Sequence, residues 1–121
     1  MQPPNRSFDE TLAARLKSVG ESLRPVTPEE LHKLLAEIFA RDPLHPWVES
    51  SARFVQDHQD ETAYSAQISD GVGLVFYPRT GRGMWYQFDK GLGKVAGIGI
   101  ISDNNMKRLT QLVIGRQTPP T

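Results

Sequence analysis

The stretch Asp70 to Asp103, DGVGLVFYPRTGRGMWYQFDKGLGKVAGIGIISD, decides the fold. Three G-x-G turns recur in it at a spacing of ten: Asp70-Gly71-Val72-Gly73, Thr80-Gly81-Arg82-Gly83 and Lys90-Gly91-Leu92-Gly93. Between them lie strand-like segments at 74–79, 84–89 and 94–103. Glycine reaches the positive φ that tight hairpin turns require, so some of these six glycines are expected there. Ala63 to Ser69 adds an alternating segment just upstream. Short strands separated by turn residues at even spacing are the mark of an antiparallel meander, here of four strands.

Upstream of the meander the period changes to that of helices. Ser7 and Glu10 form a candidate capping box, Leu12, Leu16 and Val19 share a helical face, and Gly20 is a candidate stop. Thr27-Pro28-Glu29-Glu30 is a second start signal, followed by Leu31, Leu34, Leu35, Ile38 and Phe39 as a broad apolar stripe. Asp42-Pro43 ends that helix. A third helix is expected from Pro46, with Trp47, Val48, Phe54 and Val55 inward, fraying by His58 to Glu61. After the meander, Ser102 to Asn105 supply N-caps for a last helix with Met106, Leu109, Leu112 and Val113 inward and Gly115 as its stop. The class is therefore α+β. About three N-terminal helices pack on one face of a four-stranded antiparallel meander, and a C-terminal helix follows. The single domain spans 7–115, with polar, Pro-rich tails at 1–6 and 116–121 expected to be disordered.

Strand alternation places the candidate site. Met84, Tyr86 and Phe88 face one way and fill the core, so Trp85 and Gln87 face the other. Gly97 and Gly99 share a face with Val95 and Ile101, while Ala96, Ile98 and Ile100 point to the core and meet the stripe of Leu31 to Phe39. The uncovered face then carries Tyr77, Arg79, Arg82, Trp85 and Gln87, bordered by Gly97 and Gly99. Tryptophan and arginine together are typical anchors of interfaces. The competing reading is that a Trp85 or Tyr77 ring simply lies over the glycines.

Composition bounds the remaining choices. The chain has 121 residues, no cysteine, 14 basic and 14 acidic side chains. Residues 1–62 hold 11 acids and 7 bases, and residues 63–121 hold 3 acids and 7 bases. A basic second half interleaved with aromatics suits nucleic acid, although no RNP-type motif accompanies it. No apolar run approaches a membrane span, and neither a signal peptide nor a thiolate metal site is readable, which leads to a soluble, cytoplasmic protein with no membrane partner. The G-x-G turns lie between strands, unlike a dinucleotide or P-loop fingerprint. His32, His45 and His58 show no metal-ligand spacing, although His58 with Asp57, Asp60 and Glu61 could hold a metal weakly. Ser51 and Ser65 carry no nucleophile motif, and Asp70, Asp89 and Asp103 suit turns and caps. No cofactor, metal or catalytic residue is indicated. The expected function is non-catalytic protein binding, as an adaptor, an inhibitor or immunity-type protein, or an assembly subunit. Nucleic-acid binding is the alternative, and a small-molecule or enzymatic α+β domain is a third class. A homo-oligomer is compatible with the same composition.

Overall fold

A computed structural model describes residues 4–89 and 91–117. Helices α1 (Pro4–Ala14) and α2 (Leu16–Ser22) lead into a short strand β1 (Arg24–Val26). Helices α3 (Pro28–Ile38) and α4 (Trp47–Gln56) follow, then β2 (Ala63–Ser69), β3 (Val72–Tyr77), β4 (Arg82–Asp89), β5 (Lys94–Ile100) and α5 (Asp103–Gln117). The sheet is antiparallel throughout, in the order β1-β2-β3-β4-β5.

The meander is present, and its turns use the expected glycines. Gly71, Gly81 and Gly93 have φ of 78°, 73° and 69°. The second capping box is also formed. Thr27 Oγ1 accepts the Glu30 N–H at 3.1 Å, and the Glu30 carboxylate accepts the Thr27 N–H at 3.2 Å.

Several expectations are corrected. The sheet has five strands, because β1 pairs with β2 through Arg24–Ser65, Pro25–Tyr64 and Val26–Ala63. Three residues centred on a proline give no alternating pattern, so only the pairing reveals this strand. Ser22 extends the same edge: its hydroxyl accepts the Gln67 N–H at 2.9 Å and donates to the Gln67 carbonyl at 3.1 Å. The first helix begins at Pro4 and breaks at Arg15, whose φ of −119° and ψ of 24° are not helical. Ser7 therefore sits inside α1 and not at its cap. Helix α2 runs past Gly20, and α5 runs past Gly115 to Gln117. The expected tails thus overlap helix ends, and residues 1–3 and 118–121 lie outside the described residues.

The larger correction is to the layers. Helices cover both faces of the sheet. On one face Phe8, Leu12, Val19, Leu23, Met106, Leu109 and Val113 bury Ala66, Leu74, Phe76 and Trp85. On the other, Leu31, Leu35, Ile38, Phe39 and Val55 bury Ala63, Val75, Tyr77, Met84 and Tyr86. The apolar stripe of α3 packs on the face predicted for it, but at different strands. Ile98 is only at the margin of that core, Ile100 is exposed, and Ala96 is exposed. A register irregularity at Gln87/Phe88 pairs Gln87 with Gly97 and Phe88 with Val95, so Ala96 has no partner across the ladder. That bulge moves Val95 to the Ile98 and Ile100 face, away from the glycines.

Candidate functional site

The seven residues expected to form one contact surface do not do so. Trp85 is 3% exposed and Tyr77 is 1% exposed, and they belong to opposite cores. Trp85 faces away from Met84 and Tyr86 as alternation requires, but α1 closes over it. The Phe8 ring stacks on the indole with centroids 4.5 Å apart and planes 11° from parallel. Its benzo edge leans over Gly97, where an added Cβ would lie 3.1 Å from Cζ3 and 3.3 Å from Cη2. The glycine at 97 is thus explained by close approach of the ring, one of the two readings open from sequence. Gly99 is buried, while Gln87, Arg79 and Arg82 are exposed. A cleft of about 340 Å³ between Phe8, Thr11, Trp85, Gln87 and Gly97 is all that remains of the expected groove.

Tyr77 packs in an aromatic group beneath α4. Its ring stacks on His58 at 4.5 Å and tilts against Phe54 at 5.2 Å. The His58 Nδ1–H donates to the Phe54 carbonyl at 2.7 Å. Burial pushes the Tyr77 hydroxyl up to about 12, with the Glu61 carboxylate adding in the same direction. Burial also raises Tyr86, opposed by a hydrogen bond with Gln67 and by the Arg24 charge. The capping bonds of Thr27 hold Glu30 below the usual carboxylate range. Each of these shifts follows from packing or capping and assembles no acid–base pair.

The other candidate groups are also accounted for. Ser51 is fully buried and spends its hydroxyl on the Trp47 carbonyl at 2.6 Å, the back-bond of a mid-helix serine. Asp89 Oδ1 accepts the Leu92 N–H at 3.2 Å in the β4–β5 turn. Among the described residues no group of three or more His, Asp or Glu side chains is placed to hold a metal ion. No described helix is long and apolar enough to cross a membrane.

The structure instead brings together residues at the β3–β4 hairpin end of the sheet. Half-buried Trp47 and Phe54 on α4, Met84 and Arg82 on β4, Ile100 on β5 and Asp103 at the start of α5 line a cleft of about 430 Å³. That volume is within the usual range of small-molecule pockets, roughly 300–1,000 Å³. Its floor is apolar and its rim carries one cation and one anion. Arg82 is the sole member picked out from the sequence. Trp47 and Phe54 face inward on α4, as the helix pattern predicts, but at the margin of the layer. A position along the helix says which face a residue takes, not whether the neighbouring strand reaches far enough to cover it.

No protein-family model matches the chain, no curated protein matches it in sequence, and no solved structure matches it.

Proposed function

We propose that the chain is a non-catalytic protein-interaction module whose contact site is the cleft between α4, β4, β5 and α5. One observation carries this reading: Trp47, Phe54 and Ile100 converge on an open apolar cleft beside Arg82 and Asp103. A tryptophan at the centre of a desolvated patch is a frequent hot spot, and a rim arginine steers the encounter more than it adds affinity. Ile100 is 69% exposed, an apolar side chain that a partner would remove from water. The cysteine-free composition fits action in the cytoplasm.

The nucleic-acid alternative is weakened at the two rings it was read from, and Trp47 beside Arg82 is common to both readings. Arg79 and Arg82 are exposed at the hairpin, but Tyr77 and Trp85 are buried and offer no ring for a base to stack on.

The test compares wild type with Trp47→Ala and Arg82→Glu on a matrix presented to host extract, followed by rebinding of each purified eluted species at two salt concentrations. The reading expects one protein whose affinity drops by about 2 kcal/mol for Trp47→Ala and changes little with salt. Retention of nucleic acid, with affinity falling steeply with salt, would favour the alternative. A partner held equally well by both variants would remove the cleft from the reading.

A further inference from the structure

The sheet has two terminal strands, and they differ. β1 is three residues long with Pro25 at its centre, a blunted edge. β5 is seven residues long and carries no proline, and its single charge is Lys94 at the start. It ends the sheet, with β4 on one side and no described strand beyond it.

The backbone of β5 shows which groups face outward. The Ile101 N–H donates to the Gly83 carbonyl at 3.0 Å, toward β4. N–H and C=O groups alternate sides along a strand, so those of Gly99 also point to β4 and those of Ile98 and Ile100 point away from the sheet. Gly99 pairs with Trp85 and Ile100 with Met84, which agrees with this alternation. The outer edge therefore presents, beyond the bulge at Ala96, the backbone groups of Ile98 and Ile100, flanked by an exposed isoleucine side chain and by glycines that add no side chain.

We propose that a second copy of the chain adds to β5, antiparallel, about a two-fold axis at Gly99. That axis is set by the outward groups. It pairs Ile98 with Ile100 of the second copy, and Ile100 with its Ile98, so the exposed backbone donors and acceptors satisfy each other. The two isoleucine pairs meet on one face and cover the Ile100 side chain. At the axis Gly99 faces Gly99, with no side chain to hold the strands apart. The strand ends are of opposite sign: Lys94 and Asp103 are both exposed, and antiparallel pairing brings the Lys94 end of each copy beside the Asp103 end of the other. Such an interface is isologous and closes at two copies. It goes beyond the cleft reading: its hydrogen bonds belong to the β5 backbone, it shares the Ile100 side chain and Asp103 with the cleft, and it is tested at Ile98, which does not line the cleft.

The test is the mass in solution of wild type, Ile98→Pro and Ile98→Val across a concentration series, with amide hydrogen exchange on wild type. Ile98 does not line the cleft, and proline there removes an outward N–H while the bonds of Gly99 and Ile101 to β4 remain. Wild type and Ile98→Val are expected at twice the chain mass. Ile98→Pro is expected as a monomer with an unchanged circular-dichroism spectrum, its dissociation constant raised at least about tenfold. The Ile98 and Ile100 amides of wild type should be protected at high concentration and exchange freely on dilution, a readout that stands even if the proline variant does not fold. A monomer at every concentration overturns the proposal. So does a dimer whose Ile98 and Ile100 amides exchange freely, and so does open-ended growth beyond two copies. Partner binding that is weakened by Trp47→Ala but kept in an Ile98→Pro monomer separates failure of the edge from failure of the cleft.

Discussion

Phe8 lies flat on Trp85, across 77 positions of sequence, and that contact turns a candidate binding anchor into core. Trp85 points where strand alternation sends it, away from Met84 and Tyr86. The helix on which Phe8 sits decides that this direction is inward. Trp85→Ala is accordingly expected to cost about 3–5 kcal/mol in denaturant unfolding, as for other buried aromatics. A loss under about 0.5 kcal/mol would return the indole to the surface.

Phe8→Ala should uncover the same ring. In a Trp47→Phe background, where Trp85 is the sole tryptophan, its emission should shift to longer wavelength as water reaches the indole. Emission identical to that of the background protein would show that α1 does not close this face.

Gly81 lies in the β3–β4 turn and Gly83 two residues on in β4, and they should fail for different reasons. Gly81 has φ of 73° and open space where a Cβ would go, so alanine there should cost about 1 kcal/mol through backbone strain alone. At Gly83 an added Cβ would sit 2.8 Å from Phe76 Cβ, Ile101 Cδ1 and Met106 Sδ. Gly83→Ala should therefore cost about 1–3 kcal/mol through overpacking, read from the same denaturation curves. A cheaper Gly83→Ala than Gly81→Ala would mean that α5 sits farther from the sheet.

Alkaline pH should reveal the burial of Tyr77. The ordinary hydroxyl value is 10, and burial raises it to about 12 in the folded chain. Below 10 the proton is held in both states, so stability there is insensitive to it. Between 10 and 12 only the unfolded chain releases the proton, and stability falls by on the order of 2 kcal/mol. Tyr86 shifts in the same direction and adds to the fall. Tyr77→Phe should keep the His58 and Phe54 ring contacts and flatten the stability profile in that window. An unchanged profile would show that the hydroxyl already titrates in water.

Leu35→Ala tests the opposite layer. Leu35 is buried under α3 with Leu31, Ile38 and Phe39, so its truncation should cost about 2–5 kcal/mol in equilibrium unfolding. A cost under about 0.5 kcal/mol would detach α3 from the sheet.

Local chemistry determined much of this protein without reference to distant residues. The spaced glycines place the hairpins, because only glycine enters the positive-φ turns at 71, 81 and 93 without strain. Thr27, Pro28 and Glu30 start α3 through bonds made within one turn. Alternation along β4 separates Met84 and Tyr86 from Trp85 with no knowledge of what lies on either side. Tertiary structure alone decided what covers each face, since that depends on where α1, α2 and α5 return after long separations in sequence. It also decided that Pro25 joins the sheet, that Ala96 bulges out of it, and that Trp47 meets Arg82 and Ile100 at one cleft. A periodic pattern specifies direction relative to the chain. Burial is a property of the space beyond the side chain, and that space is filled by residues the pattern does not contain.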